Sequence, residues 1–482
     1  SIRKALAFSF IDRYASLLVG IVSSMLLSRL LTPKEIGVFS VVMVLLSFAA
    51  TIRDLGAGQY LLQERDLTRD RIRAVWAVQL GVGALLALVA ALAAGFVARW
   101  FDEPRMRDIM LVMALGFLVN PFGSITYAWL MRSMRYDALA VMRFSGNIAG
   151  ALTSVSLAWA GWGPISLAIG AIVTSLVNAL VAVRFRPPDY PWLPGLREIR
   201  RVLSFGTKVS SSTLIQTATT GMPELLLGKL QGLTQVGLYS RANGLIQMFA
   251  RLVADAVNTV ALSMFAKASR EQGGFAAPFL KANAYMTALA WSFFLLVGLL
   301  ADPIVLFLYG GQWGDSVPLV RGLAVLAAVA APAALCYEAL LAAGAASQLL
   351  RTMMVSGALL IGGSAVGAWF STEAMIGGLL AATTVSSCLW LRIARQQLQF
   401  EWRPYLNTLG RSAAVALASS IGPALLVCWL GWAPALTVFE RIGLIAIAGL
   451  SCAAGFLLAA GWLRHPISSE FERVRDKLFQ TK

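Results

Sequence analysis

The chain has 482 residues, of which 58% are hydrophobic and 13% charged, with a mean hydropathy of +0.73. Soluble domains carry about 25% charged residues, so a soluble fold with one anchor is excluded and a polytopic membrane protein is expected. The net charge of +16 and pI near 10.2 would point to nucleic acid in a soluble protein; here the arginines cluster in alternate loops, the bias of cytoplasmic loops, and no nucleic-acid partner is implied.

Apolar stretches long enough to cross a hydrocarbon layer of about 30 Å are predicted near residues 6–31, 36–54, 74–99, 107–131, 138–161, 163–184, 202–229, 236–264, 277–309, 315–345, 348–370, 373–395, 405–430 and 437–463. They make an all-α protein of about fourteen transmembrane helices with no room for a soluble domain. The apolar run after Arg3 and Lys4 is too long for the core of a cleavable signal and is followed at once by another span. Basic residues crowd one set of loops (Arg69, Arg71 and Arg73; Arg132 and Arg135; Arg184, Arg186, Arg197, Arg200 and Arg201; Arg392, Arg395 and Arg403), while the opposite loops are short and carry few. That asymmetry predicts both termini in the cytoplasm.

The first span has a small and polar face from Ser9 through Asp12, Arg13, Ser16 and Gly20 to Ser24, with Arg29 near its outer end. Arg53 and Asp54 end the second span, either as a gate pair or as an interfacial ion pair. The connection from Arg184 to Arg201 holds Pro187, Pro188, Pro191 and Pro194 and reads as a stiff, extended linker. It divides the chain into an N-terminal lobe (1–186, spans 1–6), a linker (187–201) and a C-terminal lobe (202–398, spans 7–12). Two further spans (399–465) and an amphipathic cytoplasmic tail (466–482) follow.

The two lobes repeat each other. Arg29, Ile36, Gly37, Phe39 and Ser40 match Lys229, Val236, Gly237, Tyr239 and Ser240 at an offset of 200 (236 − 36). Tyr127 and Leu130 match Tyr337 and Leu340 at 210 (337 − 127). A duplicated six-helix unit, with the copies related by pseudo-twofold symmetry, is a transporter design with its site between the repeats.

In the seventh span, Gly206, Ser210, Thr213, Thr217, Thr220 and Glu224 share helical spacing, and Pro223 precedes the carboxylate. In the eighth, Arg241, Gly244, Met248, Arg251, Asp255 and Asn258 recur at steps of three or four, so an unbroken α-helix would hold them within roughly 100° of arc. A guanidinium near the middle of a membrane helix costs about 2.5–3.5 kcal/mol on insertion scales. Two readings follow. Either Arg251 faces a cavity that binds an anionic head group, or Arg251 and Asp255, four apart, neutralise each other inside a bundle. Arginines within spans (Arg13, Arg29, Arg241, Arg251, Arg321) outnumber the partner carboxylates Asp12, Glu224, Asp255 and Glu338. An anionic guest would supply the balance, and the guanidinium fork suits phosphate.

Four cysteines (Cys336, Cys388, Cys428, Cys452) lie in apolar runs without metal spacing and read as small buried residues. The single histidine, His465, reads as a solvated end-of-helix residue. There is no phosphate-binding G-x-x-x-x-G-K loop and no nucleophile or zinc motif, so neither a cofactor nor catalysis is expected. Transport would draw on an ion gradient, the membrane potential or consumption of product.

The stretches Ser28–Gly37 (SRLLTPKEIG), Arg53–Gly58 (RDLGAG), Met134-Arg135-Tyr136 and Gly237–Ala242 (GLYSRA) resemble the polysaccharide exporters of the multidrug/oligosaccharidyl-lipid/polysaccharide superfamily, and within it the Wzx-type flippases. The resemblance implies two six-helix lobes plus two extra helices, in a bacterial inner membrane. It implies alternating access that moves an undecaprenyl-diphosphate-linked oligosaccharide to the outer leaflet. A polysaccharide polymerase and export machinery would act downstream. By likeness to the related lipid II flippases, cavity arginines (Arg13, Arg29 and Arg251 here) bind the diphosphate, and the two extra helices line a groove for the lipid tail. The chain departs from the family at Met222-Pro223-Glu224 and at Leu262–Phe265. The alternatives are a lipid II flippase and a cation-coupled small-molecule antiporter of the same superfamily; the surplus of arginine argues against the antiporter.

Overall fold

A computed structural model of the chain describes residues 2–54, 57–64, 66–188, 190–270, 274–430 and 437–468, with the side chains of 2–13, 54, 57, 59, 63, 205–211, 256, 269–270 and 430 outside that description. Among the described residues there are helices and turns but no strand.

The chain opens with α1 (Ile2–Leu30), α2 (Pro33–Asp54), a short α3 (Ala57–Gln63), α4 (Arg69–Trp100), α5 (Arg105–Arg132), α6 (Tyr136–Trp159) and α7 (Ile165–Phe185). Then come α8 (Ile199–Leu230), α9 (Leu233–Phe249), α10 (Asp255–Arg270), α11 (Ala276–Leu299), α12 (Ala301–Leu308), α13 (Val317–Ala330), α14 (Cys336–Ala342), α15 (Ala346–Phe370) and α16 (Thr372–Leu398). The chain closes with α17 (Trp402–Leu430) and α18 (Val438–Trp462). Ten helical segments among the described residues are long and apolar enough to cross a membrane, or eleven if the bent pair Leu233–Ala254 and Val257–Ala268 is one span. All fourteen predicted stretches fall on helix, but α6 and α8, rich in Ser, Thr and Gly, are outside that set, and Tyr14–Leu30 of α1 is a shorter apolar helix.

Helix boundaries follow local chemistry. Pro33 occupies the first position of α2, where its missing N–H costs nothing. Thr32 and Glu35 exchange capping bonds, Thr32 N to Glu35 Oε2 at 2.8 Å and Glu35 N to Thr32 Oγ1 at 3.3 Å. Thr437 and Glu440 form the same capping box at α18. Ring-bearing residues at helix ends, Trp159, Trp369, Trp429, Phe439 and Trp462, are exposed, as are Leu85, Leu88, Leu92 and Phe96 along α4. In a membrane protein these are the lipid-facing flank and its interfacial belts.

Contacts divide the chain into two compact units, Ser1–Gly237 and Leu238–Lys482. In the first, α4 packs on α5, α5 and α6 on α7, α1 on α6, and α2 along α8. In the second, α15 packs on α16, α11 on α13 and α17, α17 on α18, and α10 on α11 and α14.

Three expectations are corrected. The proline-rich connection is not extended: Gly195 N donates to Arg73 O (3.0 Å), Arg73 returns bonds to the Leu193 and Pro194 carbonyls, and Arg186 lies between the Trp76 and Trp192 rings. Tyr190 of this connection is buried, its ring edge-on to Trp129. His465 is buried, not solvated. Its Nδ1 accepts the Ile467 N–H, and its Nε2 meets the Ser412 hydroxyl at 3.1 Å, which in turn meets Thr287 at 2.9 Å. Burial, with the Arg411 charge nearby, pushes its pKa down to about 4. Cys336 and Cys452 are buried as expected, but Cys388 and Cys428 are exposed on the lipid-facing flank. The amphipathic tail beyond Ser468 lies outside the described residues.

Candidate functional site

The eighth predicted span does not run as one α-helix. A π-helical turn, Ala250–Ala254, joins α9 to α10, and the axis bends by 45° there. The Asp255 N–H reaches Ala250 O, the five-residue bond of a π turn. One extra residue in the turn rotates everything beyond it by about 100° relative to an unbroken α-helix. The six polar and small positions therefore do not share one face.

Gly244, Gln247, Arg251, Asp255 and Thr259 follow an exposed track across the bend. Arg241 departs from it. Its guanidinium carbon lies 5.7 Å from the Tyr309 ring centre and 5.8 Å from that of Trp313, and these two rings meet edge to face. Ring faces at this distance attract a guanidinium. Periodicity could not reveal it, because Tyr309 and Trp313 come from the turn after α12, far along the chain.

The other candidates fall as follows. Arg29 is exposed in the last turn of α1. Arg53 is buried with its guanidinium 5.7 Å from the Phe117 ring, on the α2–α5 interface. Glu224 is half-buried on α8 behind the buried Pro223. Glu338, on α14, has a buried Oε2 with no hydrogen-bond partner among the described residues. The side chains of Asp12, Arg13 and Asp54 lie outside the described residues. Arg321 pairs with Asp302, a partner that the sequence reading did not consider.

The second unit also holds an apolar groove of about 750 Å³. Trp291, Phe294 and Leu295 of α11, Val325 of α13 and Leu417 of α17 wall it, and Arg321 stands at its rim. Gly298, Ala324, Ala328, Ala413 and Ala416 supply the space by having small side chains on three converging helices. Trp291 is oriented by its indole N–H, which donates to Ala328 O at 2.8 Å. Such a groove takes a flexible hydrocarbon chain and offers almost nothing to a polar solute. The first unit has a smaller polar pocket of about 210 Å³, lined by Asn120, Ser124, Tyr127, Ser175 and Asn178.

A chain whose described residues form ten or eleven helical segments long and apolar enough to cross a membrane belongs to the class of multi-pass membrane proteins. A family model described as polysaccharide biosynthesis protein matches residues 26–318, and the chain belongs to that family. It is 24% identical over 370 residues to the succinoglycan biosynthesis transport protein ExoT of Rhizobium meliloti, a match covering 76% of this chain and 72% of that one. It is 20% identical to the lipopolysaccharide biosynthesis protein WzxC of Escherichia coli, over 64% of this chain and 63% of that one. Among solved structures it is similar to the lipid II flippase MurJ in an inward closed conformation, with a TM-score of 0.77 at 12% identity over 96% of this chain and 100% of that one. An inward-facing multidrug transporter of the same superfamily gives 0.63 at 14% identity, over 80% of this chain and 94% of that one. These two likenesses concern the fold.

Proposed function

We propose that the protein flips an undecaprenyl-diphosphate-linked oligosaccharide repeat unit from the cytoplasmic to the outer leaflet of a bacterial inner membrane. It does so by alternating access, for surface polysaccharide assembly, with both termini in the cytoplasm and a polymerase taking the product. The observation that carries this reading is Arg251, exposed on a π-helical turn in the middle of an apolar span. Its cost there is offset when a diphosphate binds its fork. Arg13 and Arg29 on α1 are further diphosphate candidates, with Asp255, Glu224 and Glu338 as carboxylates that reset after release. Arg241, clamped by aromatic rings, positions α9 instead of meeting substrate. The apolar groove takes part of the polyprenyl tail, which explains why a wall comes from α17, outside the duplicated unit.

The test is a deletion strain complemented with the chain and its Arg251→Ala variant. Loss of surface polysaccharide with lipid-linked repeat units accumulating in the inner leaflet, restored by the parent and not by the variant, is expected. Unchanged polysaccharide with altered drug sensitivity would overturn the reading, and a block in peptidoglycan synthesis would replace it with lipid II transport.

A further inference from the structure

The duplication seen in the sequence meets itself in space. Pro33 and Gly37 on α2 are equivalent to Leu233 and Gly237 on α9, at an offset of 200 (233 − 33; 237 − 37). A Cβ built on Gly37 would fall on the Leu233 carbonyl oxygen and lie 3.0 Å from the Gly237 nitrogen. One built on Gly237 would fall on the Pro33 carbonyl oxygen and lie 3.2 Å from the Gly37 nitrogen. Each glycine thus meets the backbone of the other repeat four residues upstream, the reciprocity of a local twofold. Two helices touch main chain to main chain, an approach that only glycine permits.

All four residues lie in the first unit, at its end: α9 passes into the second unit directly after Gly237. Beneath the crossing Ile36, Val38, Val41 and Val236 are buried, and Gly228 packs on Val41 and Val236. Beside it, Lys229 donates to the Trp100 carbonyl at 2.7 Å, at the last turn of α4. The first turn of α2 is tied to its own repeat, through Lys34 to Glu103 (3.0 Å) and Glu35 to Arg105 (3.6 Å). The crossing excludes solutes by the close approach of the two main chains.

We propose that the Gly37–Gly237 crossing is the seal on the outer side of the membrane and opens once in each transport cycle. Its placement on the outer side rests on the function proposed above. The test uses the full chain carrying Val236→Cys, in cells exposed to a membrane-impermeant thiol reagent, with modification read by mass on the peptide containing position 236 so that native cysteines do not count. Position 236 should stay unmodified when precursor synthesis is blocked and become modified while polysaccharide is exported. Adding Gly37→Ala should raise modification several-fold in both conditions and lower export at an unchanged membrane level. Should Val236→Cys never be modified in cells that export normally, the seal is overturned and the flippase reading survives. Should modification respond to Gly37→Ala while the polysaccharide never depends on the protein, the seal is upheld and the flippase reading fails.

Discussion

Arg251 and Arg241 carry the same charge ten residues apart on one span (251 − 241), yet Arg251 is exposed while Arg241 lies against the Tyr309 and Trp313 rings. Charge-assisted bonds to phosphate are worth about 1.5–3 kcal/mol, or about 10- to 100-fold in affinity. Arg251→Ala should therefore cost at least tenfold in export, while Arg251→Lys retains part of it, because a point charge survives and the two-point fork does not. Trp313→Ala should instead lower thermal stability in detergent, since removing a fully buried tryptophan costs about 3–5 kcal/mol and the clamp on Arg241 a further ~1 kcal/mol. A drop in export without any loss of stability would count against the clamp. His465 gives a pH signature. Its pKa falls from the ordinary 6.5 to about 4, so the unfolded chain takes up the proton first. Its contribution to stability is complete above 6.5, declines as pH falls towards 4 and is gone below it. Melting scans across that window should show a loss that the His465→Gln variant lacks.

At the scale of elements, the informative features are breaks and ties. The π turn breaks the helical stripe, so that Arg241 leaves the exposed track that Gly244, Arg251 and Asp255 keep across the bend, and nothing in the residues 250–254 (ARLVA) announces it: each is compatible with an α-helix. Helix starts were readable, because capping is local; Thr437→Ala should cost about 1 kcal/mol, measured as a lower melting temperature. The turn between α4 and α5 was legible as a short loop between two spans but not as a network. The Arg105 guanidinium, with Lys34, holds the Glu103 carboxyl at about 2, well below its ordinary 4.5. Its contribution persists above 4.5 and is lost only as pH falls towards 2. The proline-rich connection shows the opposite limit. Its prolines suggested a stiff, extended linker, but its path is set by Trp76, which shares the Arg186 guanidinium with Trp192, and by Trp129, whose ring meets Tyr190.

For the molecule as a whole, the proposed function places the lipid tail in the apolar groove. Gly298 has room for a side chain, its nearest neighbour being Ala324 Cβ at 3.9 Å. Gly298→Leu should fill the groove and reduce export with insertion unchanged; normal export in that variant would separate the groove from the lipid tail. The sequence by itself determined the membrane class, the helical stretches, the matches at offset 200 and the family resemblance. These depend on composition and on spacing within a few turns. Only the tertiary structure decided that Arg241 turns to Tyr309 and Trp313, that His465 is buried on Ser412, that small residues on three helices open a groove, and that Gly37 lies on Gly237. Each of these joins residues dozens to hundreds of positions apart, and helical periodicity records which face a residue occupies but not which distant helix comes to meet it.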